Sequence, residues 1–192
     1  MQASILIAEK KRLRAHFSAL RKSLPLDEKA ALDEALCRQI AAHPTFLSCD
    51  VLLCFSPVRD EPNFNALFEL ARKRGVKTAF PRCVGTRMDF HVIESEHELE
   101  AGRFGIPTPP EHAPIATFSA RSLCLVPALS VAPDGTRLGY GGGFYDRFLE
   151  NFPGVAITPI YGTLVCAALP REQTDLPVSL IITEKGELLP NG

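Results

Sequence analysis

With 192 residues, 46% of them hydrophobic, the chain is long enough to bury one good core, and its length favours a single domain over 1–192. A formal net charge of −1 supplies no global field for nucleic acid or an anionic membrane surface, and no apolar stretch approaches the length of a membrane span. The apolar run at 5–8 is too short for a signal-peptide core, so the chain is expected to be soluble and unprocessed. Six cysteines, at 37, 49, 54, 83, 124 and 166, form no C-x-x-C and do not cluster with the five histidines. Several lie inside apolar runs and read there as small buried hydrophobes, and reduced thiols predict a cytoplasmic protein.

In chain order, residues 4–23 carry Leu13, Phe17, Leu20 and Leu24 at helical spacing, with Ser4 as the expected N-cap. The other face is basic: Lys10 and Arg14 are four apart, with Lys11, Arg12, Arg21 and Lys22 nearby, and taken alone such a face reads as solvated surface. Pro25, Leu26 and Asp27 break the chain and are expected to cap a second helix over 28–42, whose stripe is Leu32, Leu36 and Ile40. Residues 51–55 form a first buried strand, ending at Phe55 and running into the loop 56–62. Ligands of open α/β sheets bind beyond the carboxyl ends of strands, so that loop is placed to meet one. Its Asp60 and Glu61 equally suit the opening of a helix over 64–74, which closes on Gly75. Strands follow at 76–80 and 88–93, joined through Pro81, Arg82 and a turn at Gly85. An acidic helical turn at 95–101 leads to a proline-stiffened loop, 102–110, that presents Phe104. Near the C-terminus come a strand at 155–162, the start of a helix at 165–169, a loop holding Asp175, and a last strand at 180–183 before a polar tail. Alternating strands and helices predict an α/β fold with a mostly parallel sheet and helices on both faces.

The most informative stretch is 123–149, LCLVPALSVAPDGTRLGYGGGFYDRFL, which passes from a buried strand through a Pro-Asp-Gly turn and a glycine cluster into a helix. Gly139, Gly141, Gly142 and Gly143 leave backbone N–H groups that can approach an anion closely, and the helix from Phe144 adds its N-terminal partial charge. Arg137 stands before this loop and Asp146 after it. Cation, bare amides and carboxylate together suggest a polyphosphate with its magnesium. The string is neither a Walker A loop nor the dinucleotide fingerprint, and glycine-rich turns are often only tight connections.

The whole string RLGYGGGFYDRFL, behind a hydrophobic strand and PDG, closely resembles the signature of the 5-formyltetrahydrofolate cyclo-ligases. The resemblance extends over nearly the whole chain: K-x-x-x-R at Lys10 and Arg14, Asp60-Glu61, Pro81-Arg82, the GIP at 105–107, and the late Asp175. It implies a three-layer α/β architecture and an enzyme that turns 5-formyltetrahydrofolate, ATP and Mg²⁺ into 5,10-methenyltetrahydrofolate, ADP and phosphate. By that resemblance Lys10, Arg14 and Arg137 meet the nucleotide, together with Leu138, Gly139, Tyr140, Gly141, Gly142, Gly143, Phe144 and Tyr145. Lys10 and Arg137 would be catalytic, and Asp146 and Asp175 would form the magnesium environment. The folate would lie among Phe55, Glu61, Phe104, Tyr140 and Phe144. Some relatives carry lysine where Gly142 stands, so less cationic contact is expected from the loop itself. Two other classes stand beside this reading: a different ATP-using enzyme that lacks the folate pocket, and an RNA-binding module built on the basic first helix. The near-neutral charge and the lack of interleaved aromatics argue against the second.

Overall fold

The computed structural model describes residues 2–102 and 105–188. The chain opens with helices α1 (Gln2–Lys22), α2 (Leu26–Ala42) and α3 (Pro44–Ser48), then strand β1 (Val51–Leu53) and helix α4 (Asn65–Lys73). Strands β2 (Lys77–Val84) and β3 (Arg87–Val92) form a hairpin, followed by a short pair, β4 (Glu100–Ala101) and β5 (Pro107–Thr108). Next come β6 (Leu123–Leu125), the small hairpin β7 (Ser130–Val131) and β8 (Arg137–Leu138), and helix α5 (Phe144–Leu149). Strands β9 (Val155–Pro159), β10 (Leu180–Thr183) and β11 (Gly186–Leu188) complete the fold.

Seven strands lie in the order β11-β10-β9-β6-β1-β2-β3. The five inner strands pair parallel, and β3 and β11 close the two edges antiparallel. Leu52, Leu53, Leu123, Cys124 and Leu125 in the central pair are all fully buried, as expected for strands covered on both faces. Register shows where the covering helices lie. Phe80 of β2 stands opposite His91, so Phe90, one residue on, points to the other face. Phe68 of α4 packs edge-on against Phe80 (ring centroids 5.3 Å apart), whereas Phe148 of α5 packs on Phe90 (4.7 Å). Helices α4 and α5 therefore cover opposite faces, and the predicted three layers are present.

These connections also set where the strand order turns. From β1 the chain crosses by α4 to β2, and from the neighbouring β6 it crosses by α5 to β9 on the other side. The strand order thus reverses between β1 and β6, and open α/β sheets bind ligands beyond the carboxyl ends of their strands at such a reversal.

Several local expectations are corrected. Ser4 does not cap α1, which is already helical at Gln2. Asp27 does not cap α2; the helix starts at Leu26 behind Pro25, whose φ of −57° is preset by its ring, and Asp27 sits in the first turn. Pro81 and Arg82 lie inside β2, which runs to Val84. The β1 register ends at Ala79, so beyond it β2 and β3 form a two-stranded ribbon in which a missing proline N–H faces no strand. No helix starts at 165–169: a 3₁₀ turn at Gly162–Leu164 delivers Val165 into a bridge with Val131, and Cys166 N–H donates to the Val131 carbonyl. The tail after β10 is in part a further strand, β11.

Candidate active site at the sheet crossover

The loop after β6 folds back on itself as β7 and β8 around Pro133, Asp134 and Gly135. The Asp134 carboxylate accepts from Thr136 N–H at 2.9 Å. Gly135, at φ +82°, lies where a Cβ would stand 2.6 Å from the Val178 carbonyl oxygen, so the turn needs glycine for both its dihedral and its close approach. With the turn against Val178, Arg137 is set beside Leu176. Its buried guanidinium donates from Nη2 to Asp146 Oδ1 at 2.7 Å and from Nη1 to the Leu176 carbonyl, while Leu176 N–H donates to the same Asp146 oxygen at 3.2 Å.

Helix α1 supplies the other cations. Lys10, Arg14, Phe17 and Arg21 recur every three or four residues and so share one stripe. Among the described side chains of this helix Lys10, Phe17 and Arg21 are the buried ones, whereas Lys11, Arg12 and Lys22 are exposed. The basic residues therefore divide between two faces, and surface is the wrong description for the inner set. Lys10, 7% exposed, donates to Asp175 Oδ2 at 2.6 Å and to Glu172 Oε1 at 2.8 Å. Burial alone would lower the pKa of this ammonium, but hydrogen bonds and charge from the two carboxylates outweigh it and raise the value. Asp175 moves the other way: burial would raise it, and the Glu172 N–H and the Lys10 ammonium together hold it below the usual carboxylate range.

Arg14 connects this cluster to the glycine loop. Its Nε donates to the Gly139 carbonyl at 2.8 Å, and its guanidinium carbon lies 3.2 Å from where a Cβ on Gly141 would stand. Gly141 has φ +95°, so a side chain there would meet both strain and Arg14. Gly143, at φ +63°, starts α5, and Arg147 ties the loop down by donating to the Gly142 carbonyl at 2.9 Å and to the Thr86 carbonyl at 3.1 Å.

The loop after β1 carries Glu61, only 4% exposed. Its Oε2 accepts from Val58 N–H at 2.8 Å and its Oε1 from the Tyr140 hydroxyl at 2.6 Å. Arg59, between them, has the left-handed φ of +56°, an uncommon conformation for a residue with a side chain and a sign that the loop is held in a specific shape. Burial raises the Glu61 pKa; the Tyr140 and Val58 hydrogen bonds and the charges of Arg21 and Arg59 oppose the rise without cancelling it.

A profile of the 5-formyltetrahydrofolate cyclo-ligase family matches residues 6–184. The chain belongs to this family. It is 28% identical over 184 residues to the 5-formyltetrahydrofolate cyclo-ligase of Mycolicibacterium smegmatis, covering 92% of this chain and 94% of that one. Its fold is similar to the 5,10-methenyltetrahydrofolate synthetase of Aquifex aeolicus, with a TM-score of 0.82 at 28% identity over 95% and 94% of the two chains. It also shares the fold of a 5,10-methenyltetrahydrofolate synthetase from Mycoplasma pneumoniae (TM-score 0.73, 22% identity, 92% and 99% covered).

Most of the residues that carry the cyclo-ligase resemblance are brought into contact in pairs: Lys10 with Asp175, Arg14 with Gly139 and Gly141, Arg137 with Asp146, and Tyr140 with Glu61. Others are turned inward. Leu138 is buried, so only its backbone could meet a nucleotide. Phe55 is buried with its ring edge-on to Phe64 at 5.7 Å, and the Tyr145 ring is 6.4 Å from Phe90 with its hydroxyl buried and without a partner among the described residues. Phe144 is half-buried, under the Arg147 guanidinium at 5.1 Å, and a Cβ on Gly142 would stand 2.8 Å from its ring. Phe104 lies outside the described residues; its flanking strands β4 and β5 are anchored to the Glu61 loop by Ser56 Oγ, which donates to the Pro107 carbonyl at 2.7 Å. Sequence reasoning missed Glu172 and left Arg21 among the surface charges. The recurrence of 21 with 10, 14 and 17 was the signal that could have found Arg21.

Among the described residues, no three His, Cys, Asp or Glu side chains gather as a ready metal site. Asp146 and Asp175 are nevertheless of the right kind for Mg²⁺, a hard cation that takes one or two protein carboxylates and completes its shell with phosphates and water. Each uses one carboxylate oxygen for its protein partners, and the other, Oδ2 of Asp146 and Oδ1 of Asp175, has no hydrogen bond among the described residues. The donor set fits the ion. As for membranes, no helix among the described residues is long and apolar enough to cross one.

Proposed function

We propose that this chain catalyses the ATP-dependent closure of 5-formyltetrahydrofolate to 5,10-methenyltetrahydrofolate, with release of ADP and phosphate, at the crevice between the β1 and β6 loops. The observation that carries this reading is the glycine loop 139–143, held by Arg14 between the Lys10–Asp175 and Arg137–Asp146 pairs, beside a loop that presents a buried carboxylate at Glu61. A formamide oxygen is a weak nucleophile and a poor leaving group. Phosphorylation by ATP solves the second problem: the N5-formyl oxygen attacks the γ-phosphorus as ADP departs, N10 adds to the activated formyl carbon and gives up its proton to solvent, and the oxygen leaves as phosphate. Such chemistry asks the protein for positioning and charge neutralisation. Lys10, Arg14, Arg137 and the loop amides would take the phosphates, and Glu61 and Phe104 would orient the folate. Mg²⁺, held by Asp146 and Asp175, would neutralise phosphate charge.

The direct test is to incubate the pure protein with 5-formyltetrahydrofolate and Mg-ATP and to follow the near-ultraviolet absorption of the methenyl product. Its appearance only with all three components supports the reading; absence of product in their presence rejects it.

Two further results are expected. Lys10→Ala should raise KM for ATP by roughly 10- to 100-fold, the equivalent of one hydrogen bond between charged groups, whereas Lys22→Ala, on the exposed face, should leave it near the starting value. Equal effects of the two in steady-state kinetics would remove Lys10 from the nucleotide site. The second concerns pH. A carboxylate that accepts pterin N–H groups must be ionised, and the Glu61 pKa is raised, so folate affinity should be full above that value and fall as pH drops through it. Titration calorimetry across the acidic range would show this limb, and Glu61→Gln should abolish it.

A further inference from the structure

Arg21 is buried to 2% exposure, yet none of its hydrogen-bond partners is a carboxylate. Its Nη2 donates to the Tyr140 hydroxyl at 2.6 Å, its Nη1 reaches the Ala128 carbonyl only at 3.4 Å, and its Nε is buried with no partner among the described residues. An isolated guanidinium is costly to bury, so a counter-charge is needed. It is found one bond further on. The Tyr140 hydroxyl that accepts from Arg21 donates in turn to Oε1 of the equally buried Glu61, at 2.6 Å. The direction is forced, because arginine can only donate and an ionised carboxylate can only accept. A buried cation on α1 and a buried anion after β1 thus share one phenol oxygen.

That phenol belongs to the glycine loop. Tyr140 is 43% exposed overall, while its hydroxyl is bonded to the buried Arg21 and Glu61. Its neighbours Gly139 and Gly141 are the two residues that meet Arg14. Any shift of this loop on a phosphate moves the hydroxyl that holds Glu61, and any ligand that draws Glu61 away pulls on the loop. Resting on the reading of the site given above, we propose that Tyr140 is a positioning residue that couples nucleotide binding to folate binding, with Arg21 as the counter-charge that keeps Glu61 ionised. Burial, then Glu61, push the Tyr140 hydroxyl up to about 12, so it remains a proton donor to Glu61 at physiological pH. The charged and titratable groups around Glu61 include Arg21 from α1, Tyr140 from the glycine loop, Arg59 and Asp60 from its own loop and Tyr145 from α5, and Arg21 and Asp60 both act on Tyr161.

The test uses calorimetric titration of the intact protein with 5-formyltetrahydrofolate, alone and with a saturating non-hydrolysable ATP analogue, and the reverse order. Coupling between sites is reciprocal, so wild-type protein should show the same factor, about fivefold or more, in both orders. Tyr140→Phe, which removes only the oxygen, should bring that factor close to one. Arg21→Met should shift the acidic limb of folate binding to higher pH, and Arg21→Lys should restore it in part; a merely structural role would not move that limb. Wild-type coupling retained in Tyr140→Phe, a wild-type factor of one, or an unmoved limb in Arg21→Met would each overturn the proposal while leaving the site reading in place. If Arg21→Met does not fold, the Tyr140→Phe result decides. A wild-type protein that binds neither ligand would instead overturn the site reading, and the coupling with it.

Discussion

Replacing Asp146 by asparagine is expected to lower kcat/KM by roughly 100-fold or more while leaving the fold in place. Two losses combine. The Arg137 guanidinium keeps a neutral acceptor in place of a carboxylate, a change on the order of 1.5–3 kcal/mol for a hydrogen bond between charged groups, and the hard oxygen proposed for Mg²⁺ loses its charge. Asparagine can still accept from Leu176 N–H, so the 176 segment should stay docked. A chain of this size loses about 2–4 °C of Tm per kcal/mol, and a melting curve would therefore show a modest shift beside a large kinetic one. Complete chelation of divalent metal should abolish turnover of the unmodified protein. Methenyl product after chelation, or near-normal rates from Asp146→Asn, would remove the metal role from this carboxylate.

Glu61→Gln should weaken folate binding by roughly 5- to 150-fold, since unpaired pterin donors in a closed site cost about 1–3 kcal/mol. The amide keeps one acceptor, but its NH₂ group now faces the Tyr140 hydroxyl or the Val58 N–H, both of which donate to the carboxylate in the native arrangement. It also leaves Arg21 buried without its charge partner, so some loss of stability accompanies the loss of affinity. Phe104→Ala should reduce folate affinity too, through the loss of an aromatic wall. Parallel titrations with folate and with an ATP analogue check both. Unchanged folate affinity in the two variants would leave only the nucleotide half of the assignment.

Much was legible without coordinates, and the reason is local. The buried strands at β1 and β6 are runs of Val, Leu and Cys that can be stable only when covered on both faces, so their existence and their parallel pairing follow from residue type. The Pro-Asp-Gly turn, the glycine cluster and the start of α5 are likewise dictated by what each backbone position permits, and a motif of that length carries its family with it. Interactions between distant segments were not legible. Lys10 meets Asp175 across 165 residues, Arg21 meets Tyr140 across 119, and Tyr140 meets Glu61 across 79, and no local pattern encodes such pairs. A cationic stripe on an amphipathic helix looks solvated until the carboxylates and carbonyls that neutralise it are brought to the same place. The failed helix at 165–169 has the same origin: its residues would accept helical dihedrals, but pairing of Val165 with Val131 claimed the backbone first. Residue types determined the strands, the turn and the glycine loop; the sheet crossover decided which charges face one another, because only packing can supply a buried charge with its partner.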